Sequence, residues 1–129
     1  MLSPDARSIF AQPNMAHLAV VDEAGRPHVT PVWVDVDDQD RLVVNTAVGR
    51  VKDRYLQVGD SVALSVLHPE NPYQYVQARG AVIERTTDDG DAVIDQLANK
   101  YLGVDTYPFR QEGEQRVTVR IQPSAVTGM

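Results

Sequence analysis

The sequence predicts a mainly β protein of one domain, built as a barrel or a sandwich. Six segments either alternate apolar and polar residues or are rich in Val and Thr, as is typical of strands with one buried face. Turn-forming segments separate them, so neighbouring strands can pair antiparallel. Helical patterns are few and brief. The predicted strands cover residues 17–22, 27–36, 41–46, 61–67, 73–87 and 115–122.

Glycine and proline mark the turns and the irregular positions of these strands. Gly25 stands in a predicted hairpin turn, where it can adopt a positive φ. An acidic turn follows at residues 37–40. Gly80 predicts a bulge within the long fifth strand. Pro31 removes a backbone donor, so we expect the second strand to lie at a sheet edge or to carry a bulge.

Three short helices are predicted beside the strands. Ser3 and Pro4 form an N-cap and a first helical position, which predicts a helix to about residue 11. A helix over 88–102 begins with Asp88 as N-cap, carries one apolar stripe and ends before Gly103, a pattern typical of a packing helix. A further helix is expected near 49–58.

The helix near 49–58 departs from the usual distribution of charge. Arg50 and Lys52 lie in its first turn, where each cation opposes the helix dipole by about 0.3–1 kcal/mol. Local rules tend to fail at functional sites, and free backbone amides beside two cations suit a phosphate or carboxylate group. The alternative is a solvated face whose charges Asp53 and Asp60 balance. Spacing alone leaves both open.

Composition bounds the classes of function. The 129 residues correspond to a single domain over 1–129. The net charge of −6 argues against nucleic acid and against an anionic membrane surface as partners. The chain has no cysteine, which excludes disulfides and thiol chemistry and fits a cytoplasmic location. No signal peptide or membrane span is predicted.

Other candidate sites are weaker or absent. Trp33 suits either the core or a stacking surface, and Tyr73 and Tyr75 point to one face of the predicted fifth strand. The three histidines have no metal-ligand spacing, so no metal site is expected. The sequence also lacks a nucleophile elbow, a P-loop and a Rossmann glycine motif. The residues alone therefore indicate a β protein with one candidate anion pocket.

Four segments, residues 18–33, 45–56, 68–80 and 100–109, resemble the pyridoxamine 5′-phosphate oxidase-like split β-barrel proteins in the family's order. The most specific elements are Gly-Arg-Val-Lys from Gly49 and Asn-Pro-Tyr-Gln-Tyr-Val from Asn71. The chain looks most similar to the branch of coenzyme F-420-dependent (deazaflavin) reductases. The resemblance implies a six-stranded split β-barrel, the Greek-key FMN-binding split barrel, with two or three short helices. It also implies a homodimer with two cofactor sites at the subunit interface.

The resemblance also implies where a cofactor binds. The cofactor phosphate is expected against Thr46, Arg50 and Lys52, in the segment that also holds Asn45 and Gly49. Its ring is expected along Pro31, Val32 and Trp33. Residues reaching in from the partner subunit are expected to be Tyr75, Gln77 and Arg79. Two features depart from the family: Tyr55 replaces a frequent Asn, and the chain looks too short for the C-terminal segment that holds vitamin B6 substrates.

Three functions fit this resemblance. The first is hydride transfer from reduced coenzyme F-420 to a small organic acceptor, with Tyr73, Tyr75 or solvent as the candidate proton source. The second is an FMN-dependent oxidoreductase on the same scaffold. The third is a non-catalytic carrier of a flavin, a deazaflavin or a tetrapyrrole. The sequence does not identify the substrate.

Overall fold

A computed structural model of the chain describes residues 2–128, and these form one antiparallel sheet flanked by three short helices. The helices are α1 (Pro4–Ala11), α2 (Val51–Arg54) and α3 (Gly90–Leu102). The strands are β1 (Ala16–Val21), β2 (Pro27–Val32), β3 (Asp35–Val36), β4 (Leu42–Ala47), β5 (Ser61–His68), β6 (Asn71–Thr86) and β7 (Arg116–Gly128).

The sheet curls until its two edges nearly meet. Its strand order is β2-β1-β5-β6-β7-β4-β3, so β2 lies at one edge and β3 at the other. Only Trp33 and Val34 separate these two strands in the chain. Val32 and Asp35 are three residues apart, so their Cα atoms lie within about 11 Å and the two edges come close together at this corner. The predicted mainly β split barrel is confirmed, and so is the edge position of Pro31.

The sheet has seven strands where the sequence predicted six, because the predicted strand over 27–36 is two strands. The break falls at Val34, whose backbone groups bond to side chains of α3 and not to a neighbouring strand. Val34 N–H donates to the Tyr101 hydroxyl at 3.1 Å, and Lys100 Nζ donates to Val34 O at 2.5 Å. After β2 the chain therefore stops pairing with β1, and Asp35 and Val36 pair with β4 as strand β3.

The Tyr101 hydroxyl is expected to contribute measurably to stability. It accepts from Val34 N–H and donates to Asn14 O at 2.6 Å, so it joins α3 to two separate loops. Replacing Tyr101→Phe leaves both backbone groups without this partner, and we expect the free energy of unfolding to fall by about 2 kcal/mol. Urea denaturation measures the loss. Tyr73→Phe is the control, because Tyr73 is 81% exposed; an equal loss in both variants contradicts the assignment.

The barrel interior is filled by aliphatic side chains, and α3 adds a second apolar layer outside it. Inward positions of the strands include Leu18, Leu42, Leu64 and Ile121, each at most 1% exposed. On the outer face of β4, Val43 packs against Val93, Ile94 and Leu97 of α3, with Trp33, Tyr101 and Tyr107 alongside. This outer layer, and not the barrel interior, borders the candidate site described below.

Several element bounds differ from the predicted ones. Helix α2 has four residues where a helix over 49–58 was predicted, and α3 begins at Gly90 with Asp89, not Asp88, as its N-cap. The Asp89 side chain forms no cap hydrogen bond, and its Oδ2 accepts from Arg120 Nη2 at 2.7 Å. Strand β7 continues to residue 128, six residues past its predicted end. The bulge predicted at Gly80 is confirmed: the register of β6 with β7 shifts there.

Candidate functional site

An open cavity of about 210 Å³ lies outside the barrel, among the end of β2, strand β4, helix α3 and the segment before β7. Half of its lining was predicted from the sequence: Pro31, Val32, Trp33, Asn45, Arg50 and Lys52. The other half was not: Met15, Ile94, Leu97, Tyr107, Phe109 and Arg116. The lining divides into a basic end and an aromatic wall. Pockets for small molecules usually enclose about 300–1,000 Å³. This cavity is smaller, so a single chain encloses only part of a typical ligand.

The basic end combines three cations and one amide. Arg50 and Arg116 both pair with Glu114, at 3.1 and 3.2 Å, and Arg116 Nε also donates to Asn45 Oδ1 at 2.9 Å. Lys52 has no carboxylate within 4.0 Å among residues 2–128. Burial lowers the pKa of Lys52 below its usual value, and the neighbouring Arg50 and Arg116 lower it further. This half-buried, unpaired ammonium group favours an anionic ligand at this end of the cavity.

The structure explains how the loop before α2 holds these cations in place. Asp53 is 5% exposed, and its carboxylate accepts from Gly49 N–H at 2.9 Å and pairs with Arg85. Gly49 adopts a φ of +92°, which permits the turn into α2. A helix of four residues has almost no dipole, so the predicted role of a helix N-terminus is not supported. The anion preference depends on side-chain charges instead.

Asn45 links the basic end to α3. Its Nδ2 donates to Gly90 O at 2.9 Å while its Oδ1 accepts from Arg116. Gly90 packs directly on the backbone of Arg116, since a Cβ at residue 90 would lie 2.1 Å from Arg116 O. The first turn of α3 therefore sets the position of the Arg116 guanidinium group.

The aromatic wall forms the other side of the cavity. The Trp33 ring stacks on Tyr101, with centroids 5.3 Å apart and planes at 7°, and the edge of Tyr107 meets Trp33 at 6.1 Å. Phe109 packs edge-on against Tyr107 at 5.7 Å, and the Arg116 guanidinium group lies 5.1 Å from the centre of the Tyr107 ring. Trp33 packs in the apolar layer beside α3 and also lines the cavity, while its stacking on a ligand ring stays a prediction. A planar ring system suits this wall.

The remaining predicted site residues lie elsewhere in a single chain. The Thr46 side chain is 2% exposed and does not line the cavity, although its hydroxyl has no hydrogen-bond partner among the described residues. Gly49 lines a neighbouring groove. Tyr75, Gln77 and Arg79 alternate with the buried residues of β6, so they point away from the barrel and do not line the cavity. Their contribution from a partner subunit stays a prediction.

Tyr73, the other candidate proton source, is also outside this cavity and strongly exposed. No carboxylate and no histidine lines the cavity, whereas Tyr107 supplies a hydroxyl that sequence reasoning missed. Arg116 was missed too. Its only sequence signal was a cation at the start of a predicted strand, and its position next to Asn45 follows from the pairing of β4 with β7.

Comparison with known proteins identifies the family. The family model described as pyridoxamine 5′-phosphate oxidase matches residues 2–129. A solved F-420 reductase is 30% identical to this chain, with a TM-score of 0.85, and the match covers 98% of each chain. The chain belongs to the pyridoxamine 5′-phosphate oxidase family.

More distant structures of this fold are also similar. A conserved hypothetical protein of Mycobacterium tuberculosis, Rv2991, is 19% identical, with a TM-score of 0.75 over 99% of this chain and 84% of its own. An FAD-binding protein of Mycobacterium smegmatis is 15% identical, with a TM-score of 0.69 over 100% and 94%. No curated protein matches the sequence. These two likenesses show the fold, whereas the oxidoreductase family is shown by the family model and the F-420 reductase.

Two further features bear on this member of the pyridoxamine 5′-phosphate oxidase family. Among residues 2–128, no group of three or more His, Cys, Asp or Glu side chains is placed to hold a metal ion. Within the same residues, no helix is long and apolar enough to cross a membrane.

Proposed function

We propose that the protein is a cytoplasmic, homodimeric oxidoreductase that binds coenzyme F-420 and transfers hydride to a small organic acceptor. The observation that carries the proposal is the single cavity that joins an unpaired Lys52 ammonium group to the Trp33 wall. In a phosphate-bearing tricyclic cofactor, the phosphate would match the basic end of the cavity and the planar ring would match the aromatic wall. The 30% identity to an F-420 reductase over 98% of both chains favours the deazaflavin over FMN.

The residues of the cavity fit such a cofactor in their chemistry. Lys52, Arg50 and Arg116 would hold its phosphate through charge-assisted hydrogen bonds. Pro31, Val32 and Trp33 would hold the ring, since β2 is an edge strand and its outward backbone groups have no strand partner. When bound, the cofactor supplies hydride transfer. The chain contributes orientation from both ends and excludes water on the side covered by α3.

The proposed dimer is supported by an outer sheet face that is nearly free of charge. On β1, β5 and residues 75–81 of β6 the outward positions are His17, Ala19, Val21, Ser61, Ala63, Ser65, Leu67, Tyr75, Gln77, Arg79 and Ala81, of which only Arg79 carries a formal charge when His17 is neutral. Charged residues make up 23% of the whole chain, so this composition is unusual for a solvated face. A second copy on this face would bring Tyr75, Gln77 and Arg79 into reach of its neighbour's cavity.

A charge placed in the centre of this face tests the dimer. We expect the wild-type protein to be a dimer by light scattering and Ala63→Arg to be a monomer, because a buried unpaired cation opposes association. If the partner subunit completes the site, the monomeric Ala63→Arg variant should also bind the cofactor more weakly than wild type. Ala92→Arg, on the exposed side of α3, is the control and should remain a dimer. A monomeric wild-type protein would contradict the proposal.

The cofactor assignment is tested by titrating the protein separately with coenzyme F-420 and with FMN while recording the fluorescence of Trp33, the only tryptophan. Trp33 lines the cavity, so a bound ring should quench its emission. Micromolar or tighter binding of F-420 with weak binding of FMN supports the proposal. The reverse preference would assign an FMN enzyme. Binding of neither would refute both assignments.

Binding of an anion at Lys52 should weaken as the pH rises. The pKa of Lys52 is lowered in the free protein by burial and by Arg50 and Arg116, and a bound phosphate raises it again. Affinity is therefore lost as the pH rises past the lowered pKa of Lys52, which lies below the ordinary lysine value of about 10.4. Titrations from about pH 7 to pH 10 should show this slope. The affinity of Lys52→Arg should not fall over this pH range, since a guanidinium group stays protonated. An equal pH dependence of affinity in wild type and in Lys52→Arg would refute the explanation.

A further inference from the structure

The aromatic wall of the cavity belongs largely to the connection between α3 and β7. This connection, residues 104–115, contains neither helix nor strand. It carries Tyr107 and Phe109, which line the cavity, and Phe109 is nevertheless 62% exposed. Among the described residues, its backbone is joined to the neighbouring strands only at its end, where Val48 N–H donates to Gln115 O at 2.9 Å. The part that carries Tyr107 and Phe109 therefore depends on side-chain contacts for its position over the cavity.

Four polar contacts fasten the connection to α3: Asn99 Nδ2 donates to Val104 O at 3.3 Å, and the other three involve Arg110 or the backbone of Tyr107. Arg110 donates from Nη1 to Asp91 Oδ1 and from Nη2 to Asp95 Oδ1, both at 2.7 Å. Asp95 Oδ1 also accepts from the backbone N–H of Tyr107 at 2.9 Å. Asp91 and Asp95 are one turn apart on the helix, so a single guanidinium group spans both. The Arg110 and Asp95 contacts lie just beside Tyr107.

We propose that Arg110 is a positioning residue: by clasping Asp91 and Asp95 it holds Tyr107 and Phe109 over the cavity and so governs how tightly a planar ligand is retained. The identity of that ligand rests on the proposed function, but the clasp itself does not. Arg110 lines no part of the cavity. It acts through the connection that carries the two rings.

We expect the clasp to open and close, because its ion pairs are accessible to solvent. The Arg110 side chain is 35% exposed and Asp91 is 72% exposed. Ion pairs so close to solvent are weak and are screened by salt. The contacts of Tyr107 with Trp33 and with the Arg116 guanidinium group add to them. The buried Glu114 carboxylate holds the far end of the connection through Arg50 and Arg116. Phe109 stays largely exposed all the same. A connection held in this way can release to admit a ring and close over it afterwards.

The clasp is tested in the ligand-free protein by acrylamide quenching of Trp33, the ring that Tyr107 covers. We expect Arg110→Gln to raise the quenching constant roughly two-fold while its thermal midpoint stays within a few degrees of wild type, because exposed ion pairs contribute little to stability. Arg41→Gln is the matched control: it removes an ion pair with Asp37 that lies away from the cavity. Its quenching should equal that of wild type.

Salt provides a second measurement that needs no variant. Raising the ionic strength to about 1 M should increase quenching of Trp33 in wild type but not in Arg110→Gln, which has no clasp to screen. Quenching that is unchanged by the substitution and by salt would overturn the proposal. So would an equal increase in Arg41→Gln. If the wild-type protein bound neither F-420 nor FMN, the proposed function would fail while the clasp would still be judged on quenching.

The same variants test retention of the ligand. For whichever of F-420 or FMN binds wild type, we expect Arg110→Gln to dissociate about ten-fold faster with little change in the association rate, since affinity changes within one site appear mainly in dissociation. Asp95→Asn also weakens the contact with Tyr107 N–H and should act in the same direction. The double variant should add little to either single one, because the residues share one contact. Unchanged dissociation in all three would overturn the role in retention.

Discussion

Replacing Gly90→Ala is expected to destabilise the protein by about 1–3 kcal/mol, the usual range for an overpacked core. In most helices this substitution is stabilising, because alanine has a higher helix propensity by about 1 kcal/mol. Here the added Cβ would lie 2.1 Å from Arg116 O and 2.5 Å from the carbonyl carbon of that residue. Both are backbone atoms of β7, so neither can rotate away, and the start of α3 has to move.

The movement should also disturb the basic end of the cavity. Gly90 O is bound to Asn45, and Asn45 orients Arg116, so ligand affinity should fall together with stability. Urea denaturation measures the first effect and the Trp33 titration the second. Ala92→Gly, one exposed position in the same turn, is the reciprocal control and should lose about 1 kcal/mol through propensity alone. A Gly90→Ala variant as stable as wild type would contradict the close packing.

Replacing Lys52→Met is expected to weaken binding of the phosphate-bearing cofactor roughly ten- to a hundred-fold, since hydrogen bonds to charged groups contribute about 1.5–3 kcal/mol. Arg54→Met is the matched control: it removes the same charge from the same short helix, but Arg54 is exposed and does not line the cavity. Equal losses of affinity in the two variants would mean that only the overall charge matters. An unchanged affinity in Lys52→Met would mean that the phosphate does not bind at this end of the cavity.

The stability of Lys52→Met should change in the opposite direction. In the free protein Lys52 is half-buried beside Arg50 and Arg116, and this environment disfavours its charge and lowers its pKa. Removing the charge should leave the thermal midpoint unchanged or raise it. A residue that costs stability yet improves binding is typical of a functional site. A clear fall in the thermal midpoint would instead indicate a structural role for Lys52.

The sequence was sufficient where the determining interactions are local. Alternation identified the strands because successive side chains of a strand point to opposite faces. Helix α1 begins after Ser3, whose hydroxyl accepts from Ala6 N–H, and α3 ends at Gly103 with a φ of +71°, both as predicted. In each case the residues that set the boundary lie within one turn of it. Arg50 and Lys52 were recognisable as a candidate anion site for the same reason, because they lie two residues apart in the chain.

Only the tertiary structure decided which distant residues meet. The break at Val34 depends on Lys100, 66 residues away, so the seventh strand had no signal in the local pattern of 27–36. Arg116 joins Lys52 because β7 pairs with β4, and Thr46 faces away from the cavity because of the register of β4. Such contacts depend on strand pairing and on the curl of the sheet, which periodicity does not encode. The sequence by itself thus determined the strands, two helix ends and two of the cations, whereas the folded sheet decided that these cations, Arg116 and an aromatic wall share one cavity.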